Sequence, residues 1–290
     1  MLLCPVRAEI QLEMKSWRYE LPQGRVLCLG ERSLIMGILN VTQDSFYSAS
    51  RILDEKELIS KAAKMLEDGA DILDAGALST RPGAARIEAE EERVRIIPAL
   101  AALRKEFPDA IISADTMKPE IARDAAEAGA DIINDVGDDP AMGEVALKTG
   151  LPLVVTHCED LPSSECSDIV GSVMNNLSSR LSALQRQGVK KLIVDPGIGF
   201  GKGKHGSYNM KLLKSIGSFR SFGLPILVGH SRKSFLDIEY KGVRIAPEPE
   251  DRLPGTLAVS ALLASNLVEI IRVHDVLENA RAVRTTEAIL

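Results

Sequence analysis

Cysteine is scarce and unpatterned in this 290-residue chain. Its four copies, Cys4, Cys28, Cys158 and Cys166, form no CxxC pair, and the nearest two lack the further Cys and His that a zinc site needs. That argues against a disulfide scaffold and for reduced thiols in a cytoplasmic protein. Long apolar runs are missing as well: none approaches the ~20 residues of a membrane span. The opening "MLLCPVRAEI" has no basic n-region and meets Arg7 and Glu9 too early for a signal peptide. Charge comes in no blocks. With 35 basic against 41 acidic residues and a net charge of -6, neither a nucleic acid nor a membrane surface is an expected partner. No Pro/Ser-rich linker divides the chain, which at 45% apolar composition can bury a large core.

One phrase recurs along the chain: a helical stretch, a glycine or similar breaker, a short run of branched apolar residues, then a polar one. The instances are "LIMGILN" (34–40), "EDGADILDAG" (67–76), "DAIISADT" (109–116), "EAGADIINDV" (127–136), "KTGLPLVVTH" (148–157), "QGVKKLIVDP" (187–196), "FGLPILVGHS" (222–231) and "NLVEIIRVHD" (266–275), each holding one short apolar run. Each run is too short for a helix and too uniformly apolar for a strand with one wet face, so each reads as a parallel strand buried on both sides. Glycines before them read as helix C-caps. Amphipathic stretches lie between, such as 54–68, with Asp54 as a plausible N-cap, and 88–107. Eight such units predict a (β/α)8 TIM barrel over residues 34–290 rather than a doubly wound open sheet, which offers no reason for eight. Residues 1–33 form an N-terminal extension whose "WRYELPQGRVLCLGER" predicts a hairpin closing the barrel bottom.

In such a barrel the C-terminal strand ends face the active site. Here they carry Asn40, Asp74, Asp115, Asn134, His157, Asp195, Ser231 with Arg232 and Lys233, and Arg272 with His274. "DPGIGFGK" (195–202) resembles a phosphate loop superficially, but the residue after Lys202 is Gly203 where that motif needs Ser or Thr, and the dinucleotide GxGxxG also fails. The better reading gives the chemistry to Asp195, with the glycines shaping a tight turn. Asp115, Asn134 and Asp195 suit a flat heterocycle rich in N–H donors. Paired-carboxylate acid/base chemistry, a metal trio and plain helix capping are the alternatives for these three. "SRKSF" (231–235) and "RVHD" (272–275) follow strands seven and eight, where this fold most often binds phosphate, and residues 272 and 274 share a strand face. Arg81 in "STRPG" (79–83) adds a third basic spot, on a loop that reads as a flap or as an ordinary surface turn.

Seven ordered segments, "MGILNVTQDSF" (36–46), "STRPGA" (79–84), "SADT" (113–116), "GADIINDV" (129–136), "DPGIGFGK" (195–202), "SRKSF" (231–235) and "RVHDV" (272–276), together resemble the dihydropteroate synthase family of pterin-binding barrels. The resemblance implies a transferase of folate biosynthesis that joins 6-hydroxymethyl-7,8-dihydropterin diphosphate to 4-aminobenzoate and releases diphosphate. It assigns Asp115, Asn134, Asp195 and Lys233 to the pterin, and Asn40, Arg81, Arg272 and His274 to the diphosphate. Thr80, Arg81, Phe200 and Ser234 go to 4-aminobenzoate. Mg2+ would bridge Asn40 and the diphosphate, with Asp115, Lys233, Arg272 and His274 as the catalytic group. A cytoplasmic homodimer and a sulfonamide target are further implications. Four positions depart from the family's usual pattern: Gln43 stands where proline is common, Leu78 where an acid is, Thr156 where a methionine is, and His230 where a smaller or uncharged residue is. A methyltetrahydrofolate-binding methyltransferase would not need "STRPG", "SRKSF" and RxH, and a silent pterin-binding paralogue would not need Asn40, Arg272 and His274. A Schiff-base aldolase would need a desolvated Lys233.

Overall fold

The structure is a computed structural model that describes residues 15–41, 51–76, 87–159, 168–200 and 206–290. Eight parallel strands run in the order β8-β7-β6-β5-β4-β3-β12-β9. These are β3 (Leu34–Asn40), β4 (Ile72–Gly76), β5 (Ile111–Asp115), β6 (Ile132–Asp135), β7 (Leu153–Thr156), β8 (Leu192–Asp195), β9 (Leu227–Gly229) and β12 (Ile270–Val273). The two ends of the list meet through one bridge, Val194 with Ile226, where the Val194 amide donates to Pro225 O at 2.9 Å. Apart from this single-bridge closure, all eight expected strands form a nearly closed barrel.

Strand period two divides each strand cleanly. Met36, Ile72, Ile132, Val154, Ile193, Leu227 and Ile270 cluster inside the lower barrel. Their neighbours Ile35, Ile133, Val155, Val194, Val228 and Ile271 pack outward against helices. Both faces are therefore buried, the physical reason the strands read as unbroken apolar runs.

The helices are α1 (Arg51–Glu67), α2 (Ala89–Glu106), α3 (Pro119–Glu127), α4 (Ala141–Thr149), α5 (Ile169–Gln187), α6 (Gly206–Lys214), α7 (Leu253–Ser265) and α8 (Val276–Ile289). In α5 the buried face is Ile169, Val173, Leu177, Leu181 and Leu184, three or four residues apart. Asp168 caps that helix by accepting from the Gly171 amide at 2.9 Å, and Gly188 ends it at φ 100°, where a side chain would strain the turn. The expected cap at Asp54 is corrected: α1 begins at Arg51 and Asp54 lies within it. The positive N-terminal end of a helix favours an acid in its first turn as well as at the cap, so the sequence signal was ambiguous by one turn.

The expected hairpin is present as β1 (Trp17–Glu20) and β2 (Val26–Leu29), antiparallel. Tyr19, Leu21, Leu27 and Leu29 pack on the interior apolar layer, and the Tyr19 hydroxyl donates to Leu192 O at 3.0 Å. Arg25 donates twice to the buried Asp131, at 3.0 and 2.8 Å. A cavity of ~410 Å³ sits at this lower end, lined by Gly30, Arg32, Ser33, Leu267 and Glu287 among others. Two of its charged side chains are paired, Arg32 with Asp71 and Glu287 with the Ser33 amide and Arg284. Among the described residues no helix is long and apolar enough to cross a membrane. Cys28 and Cys158 are free thiols.

Candidate active site at the barrel mouth

On five strands the face that carries the inner apolar layer turns polar two residues further on. Ile72 is followed by Asp74, Ile132 by Asn134, Val154 by Thr156, Ile193 by Asp195 and Ile270 by Arg272; Asp115 ends β5 beside them. All of these except Arg272 are buried, and Arg272 retains only 11% side-chain exposure. The barrel thus has an apolar floor under a ring of charge.

Arg272 is the centre of that ring. Its Nε donates to Asp74 Oδ2 at 2.6 Å and its Nη2 to Asp115 Oδ2 at 2.5 Å. Nη1 has no partner among the described residues. Asp74 also accepts from Asn134 Nδ2 at 3.3 Å to each oxygen, so one carboxylate orients both the cation and the amide. Asp115 Oδ1, Thr156 Oγ1 and Ser113 Oγ are buried without a hydrogen-bond partner among the described residues. Buried polar atoms are rarely left so, and three on one interior face mark where a polar ligand belongs. Burial pushes the Asp115 carboxyl up to about 7; Arg272 opposes the rise and Asp74 adds to it. Burial also works against the Arg272 charge, but the two carboxylates hold its pKa above the ordinary value. Asp135, next to Asn134, is pushed up to about 6 by burial, although the Gly137 amide and Arg180 favour its charge. Arg180 reaches it at 3.6 Å while donating to Thr156 O and Gly137 O.

The stretch after β8 is a tight turn, as expected. Asp195 Oδ1 accepts from the Gly197 amide at 2.7 Å, and the Gly199 amide donates to Asn209 at 2.7 Å. Lys233 lies against this turn: Nζ donates to Ile198 O and sits 4.0 Å from the Phe200 ring centroid. A Cβ on Gly199 would come within 2.5 Å of Lys233 Cδ, and Gly199 has φ +78°. Asp195, Lys233 and Phe200, separate in sequence, are thereby brought to one side of the mouth. Ser234 opens an exposed turn just beyond.

Across the mouth, Ser231 Oγ is 3.2 Å from the His274 amide, which donates to it, and 3.0 Å from His274 Nδ1. Both contacts are satisfied when the hydroxyl donates to Nδ1, which leaves the ring proton on Nε2. Arg232, expected as a second cation of the site, instead donates twice to Asp275 at 2.8 and 2.6 Å. Its backbone takes a left-handed φ of 55°, which turns consecutive residues of the loop in different directions. Asn40 ends β3 with an exposed side chain. Among the described residues no group of three His, Cys, Asp or Glu is placed to hold a metal. One amide oxygen suits Mg2+ only as a companion of a bound polyphosphate, the usual habit of that ion. Thr80, Arg81, Gln43 and Leu78 lie outside the described residues.

Sequence reasoning placed Asp74 in the ring but gave it no role; strand period two from Ile72 puts it on the inner face. Ser113 shows the same signal, two residues before Asp115. The Glu92–Thr116–Lys118 cluster was missed. Glu92, in α2, is fully buried and accepts from Thr116 Oγ1 at 2.5 Å and pairs with Lys118 at 3.0 Å beside Asp115. Nothing in "EAEEER" distinguishes Glu92 from its exposed neighbours.

The chain is similar to known proteins of one family. The family model for the pterin binding enzyme matches residues 36–274. The dihydropteroate synthase of Escherichia coli strain K12 is 39% identical over 265 residues, covering 88% of this chain and 91% of that one. The Xanthomonas albilineans dihydropteroate synthase solved with 4-aminobenzoic acid superposes with a TM-score of 0.82 at 34% identity, over 95% of this chain and 98% of the other. The Yersinia pestis dihydropteroate synthase in a sulfonamide drug complex gives 0.81 at 34% identity, over 94% and 99%.

Proposed function

The chain belongs to the pterin-binding enzyme family, and from that premise we propose that it catalyses the dihydropteroate synthase reaction. The methylene carbon of 6-hydroxymethyl-7,8-dihydropterin diphosphate breaks its bond to oxygen, the electron pair leaving with diphosphate. The amine of 4-aminobenzoate forms the new C–N bond and gives up a proton, yielding 7,8-dihydropteroate. The observation that carries the reading is the buried ring of Asp74, Asp115, Asn134 and Asp195 around Arg272, with Asp115 Oδ1 unpartnered among the described residues.

In this reading Asp195 accepts from the 2-amino and ring N–H edge, Asn134 pairs with the adjacent ring nitrogens, and Lys233 donates to the 4-oxo group and N5. The apolar floor below excludes water from the ring. Arg272, through Nη1, with His274 and Asn40, takes the diphosphate, joined by Arg81. A diphosphate that draws Arg272 toward itself leaves the Asp115 carboxylate facing the methylene, where its charge stabilises the developing cation. Phe200 and Ser234, with Thr80 and Arg81, receive 4-aminobenzoate, and sulfonamides compete for that place. Asn40 would hold a Mg2+ ion together with a bound diphosphate, and the ion would supply charge neutralisation for the leaving group.

The exposed apolar residues Ile238, Tyr240, Val243 and Ile245 on the hairpin β10 (Glu239–Tyr240) and β11 (Val243–Arg244) support a homodimer. Free thiols support a cytoplasmic location. The test is diphosphate release with and without each substrate: dependence on both the pterin diphosphate and 4-aminobenzoate is expected. Release that ignores the arylamine would overturn the synthase reading.

A further inference from the structure

His230 lies directly after β9 and is fully buried; its backbone O accepts from the Lys233 amide at 3.3 Å, and its ring hydrogen-bonds to none of the side chains assigned to substrate. Its Nε2 is 3.0 Å from Thr256 O and 3.0 Å from Ser260 Oγ, both on α7. A carbonyl only accepts, so Nε2 carries a proton, and because burial disfavours a charged ring, Nδ1 is bare and the tautomer is defined. Ser260, its lone pair engaged, donates to Asn279 Oδ1 at 2.6 Å, and Asn279 Nδ2 donates to Asp275 O at 2.6 Å. The Asp275 carboxylate holds Arg232. Thr256 closes the circuit, since its Oγ1 accepts from the Arg232 amide at 3.0 Å. The chain thus leaves β9, meets α7 and α8 through His230, and returns to the loop at Arg232.

Between those two anchors lies Ser231, which contacts His274, and directly after them lies Lys233. Arg232 is held in a left-handed conformation that a non-glycine residue keeps only when its surroundings over-determine it. We propose that His230 is a positioning residue: through Ser260, Asn279 and Thr256 it sets the 230–233 loop so that Ser231 orients the His274 ring and Lys233 lies against the turn that follows Asp195. The inference rests on the site reading above for which substrate is affected, and on geometry alone for the His274 ring.

His230→Leu removes the donor and keeps an apolar body; His230→Gln keeps an N–H able to reach Thr256 O. For the Leu variant, KM for the pterin diphosphate should rise about tenfold, the cost of one lost hydrogen bond near 1.4 kcal/mol. Its kcat and its KM for 4-aminobenzoate should stay within about threefold. The Gln variant should recover most of the loss. Long-range 1H–15N spectra of the ligand-free chain supply a readout independent of turnover: His274 is expected as the Nε2–H tautomer in the parent and should gain Nδ1–H character in His230→Leu. An unchanged His274 ring, or equal losses in the Leu and Gln variants, overturns the proposal even if the chain's substrate proves different. If the Leu variant does not fold, Ser260→Ala decides in its place. It keeps His230 but breaks the relay to Asn279, and an unaltered KM and His274 spectrum in that variant would refute the relay.

Discussion

Asp74 has no exposed surface, yet it bonds to both Arg272 and Asn134, so its replacement tests the charged ring directly. Breaking a buried ion pair costs about 3–5 kcal/mol, because the remaining charge loses its partner. In Asp74→Ala, Arg272 keeps Asp115 at 2.5 Å, which puts the expected loss near the lower end, ~3 kcal/mol. Asp74→Asn preserves the shape and one acceptor for Arg272 Nε; the Asn134 amide can rotate to present its oxygen to the new N–H. The cost should then be ~1–2 kcal/mol, that of hydrogen bonds to a charged group weakened rather than deleted. Calorimetry at pH 7.5 should rank the melting temperatures parent, Asn, Ala, with the Ala variant lower by about 6 °C. Because the Asp74 charge helps push Asp115 up, the Asn variant should also move the acid limb of kcat/KM to lower pH. An alanine variant as stable as the parent, or Asn and Ala variants that melt together, would refute the claim that Asp74 neutralises Arg272 in the fold.

Arg272→Lys keeps a charge but loses the fork that spans Asp74 and Asp115; KM for the pterin diphosphate should rise at least tenfold, more than the affinity for the free pterin falls, as read by calorimetric titration. Arg272→Ala is the poorer test, since it leaves two buried carboxylates facing each other and should lower stability as well. Gly199→Ala combines a φ of +78° with a Cβ 2.5 Å from Lys233 Cδ; urea unfolding should show a loss of ~1 kcal/mol, and pterin binding should weaken because Lys233 is displaced. Burial lowers the His230 pKa from 6.5 to about 4. The unfolded chain therefore binds a proton that the folded one refuses: this contribution to stability is complete above pH 6.5 and is lost as pH falls from 6.5 toward 4, with a slope of at most ~1.4 kcal/mol per pH unit. Asp115 and Asp135, whose pKa values are raised, act in the opposite sense, so the measurement is the difference between parent and His230→Gln across pH 4.5–7.5. A difference that does not change over that range would contradict the buried neutral imidazole.

Much of the barrel was legible along the chain. The unbroken apolar runs require strands covered on both faces, and glycines such as Gly150 and Gly188, at φ 71° and 100°, end the helices before them. Asp195 at a strand end, with glycines turning the chain beyond it, was legible for the same local reason. Arg232 was not: in "SRKSF" it looks like a partner of Lys233, and only the fold brings up Asp275, just before α8, which draws it away. His230 was visible as an unusual residue, but its function depends on Ser260, thirty positions on.

Strand periodicity is a property of the backbone, so the order of residues alone decides which face Ile72 and Asp74 share, and hence that charge gathers above an apolar floor. Pairing of those charges is another matter. Arg272 and Asp74 lie 198 positions apart and meet only because the last strand closes beside the first. Burial then turns that meeting into function: it raises Asp115 to about 7, holds Arg272 between two acids, and leaves Asp115 Oδ1 without a partner among the described residues.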